Sequence, residues 1–222
     1  MKYYPICVSL EEKECLVVGA GDVGKRKINN LIKALPKKIV VVDPDIEEEV
    51  VKGVPSFVIV EKREFREDDL RDKFLVIAAT SNRELNEYIG RLCIKKNILC
   101  NVVDRPDLCT FIVPAMIDKK GITIAISTQG KSPALTRYLK SKINELITDE
   151  LVVLAEILGR IRPYVKEKGK MSKYNREIYY RLIDKQVIEA IKCGDKNKLI
   201  FLLKQILEID KNIIGDIVND IF

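Results

Sequence analysis

The sequence predicts an α/β fold: a Rossmann-type, doubly wound parallel sheet, followed by a small α+β segment and a helical carboxy-terminal domain. Three observations predict it. The apolar run Cys15-Leu16-Val17-Val18 leads into the glycine pattern Gly19-Ala20-Gly21-Asp22-Val23-Gly24. A Lys-rich helical stretch and a second apolar run, Ile39-Val40-Val41-Val42, follow and end on Asp43. Val- and Ile-rich runs without polar alternation then recur between helical patterns up to about residue 113, as expected when helices cover both faces of a sheet.

Taken in order, strands are expected at Cys15–Gly19, Lys38–Asp43, Phe57–Val60, Phe74–Thr80 and Ile98–Asp104, with helices at Asp22–Ala34 and Asn82–Lys96. Pro36 ends the first helix, and Asn82 with Asn86 frames the start of the second. From Pro114 the character changes. Met116-Ile117-Asp118-Lys119-Lys120-Gly121 reads as a turn, Ile122–Ser127 as a strand and Thr128-Gln129-Gly130-Lys131-Ser132-Pro133 as a polar loop. Ser132 and Pro133 then suit the N-cap and first position of a helix reaching about Ile147. This segment is too small to hold a core alone and is expected to complete a surface against a second copy of the chain; packing on its own first domain is the alternative. Beyond Thr148, Leu151, Leu154, Ile157, Leu158 and Ile161 fall at helical spacing until Arg162-Pro163 breaks the run. Lys166-Glu167-Lys168-Gly169-Lys170 reads as a linker or loop, and two or three further helices follow from about Lys173, with Leu199, Leu202, Leu203 and Ile206 as a core stripe. The predicted organisation is therefore a nucleotide-binding domain over 1–113, a dimerisation segment over 114–148 and a helical domain over 149–222.

The glycines carry the chemistry of the first domain. Gly19 permits a tight turn out of the first strand, Gly21 lets backbone approach a pyrophosphate, and Gly24 lets the helix pack against the sheet. The amides of Asp22 and Val23 then open the helix toward the anion. Asp43, with Pro44 after it, closes the second strand, where a carboxylate accepts hydrogen bonds from a ribose 2′-OH and repels a 2′-phosphate. The expected cofactor is NAD rather than NADP.

Composition narrows the rest. No run approaches the 18 or more apolar residues of a membrane span, and Met1-Lys2-Tyr3-Tyr4-Pro5 lacks the apolar core of a signal peptide, so a cytoplasmic protein is expected. The six cysteines form no C-x-x-C pair, and three of them lie in apolar, strand-like or helical settings, which favours buried thiols over zinc ligands or disulfides. The chain has no histidine, which removes the commonest general base and metal ligand; no metal site is predicted. A net charge of +6 favours an anionic partner. Nucleic acid and a polycarboxylate small molecule fit that charge equally well.

Pro5-Ile6, Ala78-Ala79-Thr80 with Asn86, Asn101-Val102-Val103-Asp104, Phe111-Ile112-Val113-Pro114-Ala115 and Ser127-Thr128-Gln129-Gly130-Lys131-Ser132-Pro133 follow one another in an order that resembles the precorrin-2 dehydrogenase family, the amino-terminal module of siroheme synthase and its stand-alone relatives. The resemblance runs continuously over about residues 1 to 145, whereas the residues after 150 match only in being helical. It implies NAD-dependent oxidation of precorrin-2 to sirohydrochlorin in a homodimer, with no nucleic-acid or membrane partner; some relatives also insert ferrous iron. The implied substrate carries eight carboxylates, for which Ser127, Lys131, Ser132 and Arg137 are the candidate contacts; the plainer reading makes Lys131 and Arg137 surface charges and Ser132 a helix cap alone. Asp104 is the residue to which the family assigns chemistry. A carboxylate at a strand end is well placed to take a proton, while the plainer reading makes Asp104-Arg105-Pro106-Asp107 a turn. Thr80 and Asn101 are expected to shape the cofactor pocket. The loop carries Ala20 and Gly24 where many relatives carry Gly and Ala, a swap that both positions should tolerate sterically.

Two other functions were open to the same fold. Another NAD-dependent dehydrogenase is one, but the helices of the first 113 residues carry no Tyr-x-x-x-Lys pair. The other is a nucleotide-sensing regulatory module, in which the tail would meet a partner or DNA; no helix-turn-helix with a basic recognition helix stands out there, and Pro114–Pro133 would have no purpose.

Overall fold

The computed structural model describes residues 3–47, 53–167, 172–207 and 209–222. The chain forms two compact units, Met1–Val113 and Pro114–Phe222.

In the first unit, β1 (Glu14–Val18), β2 (Lys38–Val42), β3 (Val58–Glu61), β4 (Leu75–Ala78) and β5 (Leu99–Val102) form one parallel sheet in the order β3-β2-β1-β4-β5. Side chains alternate in direction along a strand, so each strand feeds two cores. Cys15 and Val17 of β1 join Ile39, Val41 and Ile77 on one face, beneath Ile28 and Leu31 of helix α1 (Asp22–Lys33). Leu16 and Val18 join Val40, Val76 and Cys100 on the other, beneath Ile89 and Cys93 of helix α2 (Arg83–Lys95). Strands buried on both faces need apolar residues at every position, and that is why their sequences show no alternation. Cys15, Cys93 and Cys100 are buried within these layers, and burial pushes the Cys15 thiol up to about 11.

In the second unit, β6 (Ala115–Lys119) and β7 (Ile122–Ile126) pair antiparallel, with Lys119 opposite Ile122. This corrects the expected turn over Met116–Gly121: only Lys120 and Gly121 turn, at φ 34° and 96°, and the residues before them are strand. Two consecutive positive φ values match the twist of an antiparallel hairpin, and the sequence reading took the charged Asp118-Lys119-Lys120 run for loop where it is an exposed hairpin end. Helix α3 (Pro133–Leu146) follows, with the Ser132 hydroxyl accepting from the Leu135 amide at 3.1 Å.

Helix α4 (Asp149–Glu167) runs straight through Pro163, against the expected break. A proline inside a helix removes one hydrogen bond and crowds the carbonyl four residues back. Here that residue is Gly159, and Ile157, Ile161 and Val165, buried on either side of the proline, hold the helix together by packing. Of the predicted linker, residues 166–167 close α4, and 168–170 lie outside the described residues. After it the described residues hold four helices, α5 (Ser172–Leu182), α6 (Lys185–Lys192), α7 (Lys196–Ile206) and α8 (Lys211–Ile221), rather than two or three. Asp184, Asp195 and Asp210 cap α6, α7 and α8 through their side chains, and these three short-spaced caps mark the boundaries that composition alone blurred. Leu199 and Leu203 lie in their common core with Leu202 and Ile206 packed against it.

Candidate functional site

Strand order reverses between β1 and β4, and the carboxyl ends of these strands are where an open parallel sheet leaves a crevice. The glycine loop lies there. Gly19 sits at φ 95°, its amide donating to the Val42 carbonyl at 3.0 Å. A Cβ on it would fall 2.5 Å from the carbonyl carbon and oxygen of Ala79 and 2.6 Å from the Thr80 nitrogen. Gly21 is the N-cap of α1; no side chain caps the helix, and a Cβ at Gly21 would meet nothing within 4 Å. Open space beside uncapped helix amides fits a pyrophosphate, so the residues present fit a dinucleotide. Asp22 and Val23 open that helix. Gly24 behaves otherwise than expected: a Cβ there would lie 2.0 Å from the Gly19 carbonyl oxygen, so an alanine is not tolerated unless the loop backbone moves.

Asp43 does more than end β2. Its Oδ2 accepts from the Ala20 amide at 2.6 Å and its Oδ1 from the Asp45 amide at 2.8 Å, which ties the glycine loop to the turn after β2. Each carboxylate oxygen retains a lone pair for a further donor. Pro44 is exposed beside it. Thr80, just past β4, is locked to the buried Asn86: its amide donates to Asn86 Oδ1 at 3.1 Å, its hydroxyl donates to the same oxygen at 2.8 Å, and Asn86 Nδ2 donates back to the Thr80 carbonyl at 2.9 Å. Asn82 caps α2 by accepting from the Leu85 amide at 3.1 Å. The Ala79-Thr80 backbone that moulds Gly19 is thereby fixed.

At the end of β5, Asn101 is buried, with Nδ2 donating to the Phe111 carbonyl at 3.2 Å and Oδ1 accepting from Lys27 Nζ at 3.1 Å. Asp104 lies two residues beyond the strand, exposed, at φ 59°. Its side chain has no hydrogen-bond or ionic partner among the described residues. The neighbouring Arg105, by contrast, is held by Asp107 and Glu87, and those two carboxylates keep its guanidinium far above the range in which it could lose a proton.

The four remaining candidates belong to the second unit. Ser127 and Ser132 use their hydroxyl oxygens as acceptors, from the Gln129 and Leu135 amides at 3.0 and 3.1 Å, which leaves each O–H free to donate. Lys131 and Arg137 are exposed, without an ion pair among the described residues. The loop that carries them passes through positive φ at Gln129 and Gly130 and is braced by the Thr128 hydroxyl, which accepts from the Ser132 amide at 3.1 Å and lies 3.1 Å from that of Thr136. Sequence reasoning passed over Lys27 and Thr128. Lys27 was legible in principle, because Gly24, Ile28 and Leu31 set the buried stripe of α1 and position 27 falls on it.

Residues 6–115 match the model of the family described as "Putative NAD(P)-binding". The siroheme synthase of Nitrosomonas europaea (strain ATCC 19718 / CIP 103999 / KCTC 2705 / NBRC 14298) is 38% identical over 196 residues, which cover 87% of this chain and 41% of that protein. The siroheme synthase of Ruthia magnifica subsp. Calyptogena magnifica is 35% identical over 194 residues, covering 87% and 41%. The chain thus spans about two fifths of the length of these curated relatives. Among solved structures, "SirC, precorrin-2 dehydrogenase" superposes with a TM-score of 0.73 at 24% identity, covering 92% of this chain and 98% of that one, which bears on the fold.

Proposed function

The chain belongs to the precorrin-2 dehydrogenase family, the module it shares with siroheme synthases, and from that premise we propose that it oxidises precorrin-2 to sirohydrochlorin with NAD as the oxidant. The observation that carries the reading is the partnerless Asp104 carboxylate at the same sheet edge as the glycine loop. The oxidation removes one hydride and one proton from the macrocycle. Bound NAD supplies the hydride acceptor. Gly19, Gly21, Asp22, Val23 and Gly24 seat its pyrophosphate on α1, Asp43 with Pro44 receives the adenosine ribose, and Thr80 and Asn101 border the pocket toward β4 and β5. Asp104 takes the proton, a task for which a carboxylate without a competing partner is suited. Ser127, Lys131, Ser132 and Arg137 serve the substrate carboxylates: two free hydroxyl donors and two unpaired cations are the groups a polycarboxylate requires.

Anaerobic incubation of the pure chain with precorrin-2 and NAD should yield the absorption spectrum of sirohydrochlorin with matching NADH, and NADP should support far slower turnover. Equal rates with both nucleotides would refute the role of Asp43, and no product with either would sink the activity.

The same reading includes a cytoplasmic homodimer. No helix among the described residues is long and apolar enough to cross a membrane. Helix α3 buries none of its residues, and Leu135, Tyr138 and Leu146 on it stand exposed together with Met116 of β6, an apolar surface that a second copy would cover. Sedimentation at micromolar concentration should show a dimer; a persistent monomer would mean that this surface faces water.

A further inference from the structure

Lys27 is an unusual cation. It lies on the sheet-facing stripe of α1, half-buried, and its ammonium makes one hydrogen bond, to Asn101 Oδ1 at 3.1 Å. No carboxylate pairs with it among the described residues. Burial, then repulsion from Arg26, pulls its pKa below the usual lysine range. A cation drawn partly out of water without a counter-charge costs free energy, and folds keep such groups where they serve a site more often than elsewhere.

The network beyond it shows what it serves. An ammonium only donates and a carbonyl only accepts, so Lys27 on one side and the Phe111 carbonyl on the other fix the Asn101 amide in one orientation, with Cys109 Sγ also 3.6 Å from Nδ2. Cys109 in turn grips the end of β5: the Val102 amide donates to its sulfur at 3.2 Å, and the thiol lies 3.2 Å from the Val102 carbonyl. The two ends of the loop 102–109 are pinched together by these contacts, and Asp104 stands inside that loop. Lys27 reaches it from the helix whose first turn carries the glycine loop.

We propose that Lys27 is a positioning residue: acting through Asn101, it fixes the loop 102–109, and Asp104 with it, against the nucleotide-binding helix. The inference rests on the proposed dehydrogenase reaction for its consequence in turnover, but its structural core can be read without any reaction.

The experiment uses the full chain as wild type, Lys27→Met and Lys27→Arg, measuring amide hydrogen exchange, NAD affinity, and kcat and KM for precorrin-2. In Lys27→Met, exchange over 101–109 should quicken at least about tenfold while the rest of the sheet is unchanged. NAD affinity should stay within about twofold, and kcat should fall roughly 10- to 100-fold, the scale of a small misplacement of a reacting group. Lys27→Arg, which retains a cationic donor, should recover most of both. Should Lys27→Met fail to fold, Lys27→Gln carries the same expectations. Unchanged exchange over 101–109 overturns the proposal. So does a raised KM with kcat intact, which would make Lys27 a substrate contact, and so does a loss of NAD affinity that parallels the loss of kcat. If the wild-type chain shows no turnover, the functional reading fails, and the exchange result alone then decides whether Lys27 holds the loop.

Discussion

Gly19→Ala is expected to abolish NAD binding and to lower the unfolding free energy by roughly 2–5 kcal/mol. Two costs combine. The φ of 95° lies where an L-residue is strained by about 1–2 kcal/mol. The new methyl would also sit 2.5 Å from the Ala79 carbonyl group, which is backbone held in place by the Thr80–Asn86 bonds and cannot swing aside as a side chain would. Forcing β1 and β4 apart adds about 1–3 kcal/mol, as overpacking of a dense interior does. Chemical denaturation and an NAD titration read both effects. Gly21→Ala is the contrast, because its methyl meets open space: that variant should fold normally and lose affinity only. A Gly19→Ala protein of wild-type stability would mean that the loop readily takes another path.

Asp104→Asn should slow precorrin-2 oxidation by roughly 10²-fold or more, the scale for losing a positioned base, with NAD affinity unchanged. Asparagine is the informative choice. Asp104 is left-handed at φ 59°, a conformation that Asn adopts readily and Ala does not, so Asp104→Ala mixes a backbone cost of about 1 kcal/mol with the loss of the carboxylate. Normal turnover by Asp104→Asn would dismiss the general-base role and leave Asp104 as a turn residue. A drop in melting temperature equal to that of Asp104→Ala would show that the side chain supports the loop rather than the reaction.

The sheet was legible because its signal is redundant: the apolar runs, the glycine pattern and the capping residues Asn82 and Ser132 each report the same local structure. Boundaries moved by a residue or two where the ladder ends before the apolar run does, as at Thr80 and Asp104, which lie beyond β4 and β5. The Lys120-Gly121 hairpin was missed because Met116–Lys119 is half-exposed and its charges read as loop. Pro163 misled because a local rule was overruled by packing from Ile157, Ile161 and Val165, which no nearby residue announces. The fit of Gly24 against the Gly19 carbonyl depends on the loop's own path, and a sequence gives no path. Lys27 was overlooked for a related reason: a lysine in a Lys-rich helix looks solvated until its partner, Asn101, is seen 74 residues away.

The order β3-β2-β1-β4-β5 also dictates when the site can exist. β1 meets β2 through pairs such as Cys15 with Ile39, but its other edge waits for Cys15 to meet Leu75, sixty positions along the chain. Closing so long a segment is entropically dear and comes slowly. Gly19 takes its shape against Ala79 and Thr80, the residues that trail β4 into place. The cradle for the nucleotide therefore cannot be moulded while the chain is only half assembled, and the first forty-three residues, which hold every glycine of the fingerprint and its acid, are inert as a binding element until residues far downstream arrive.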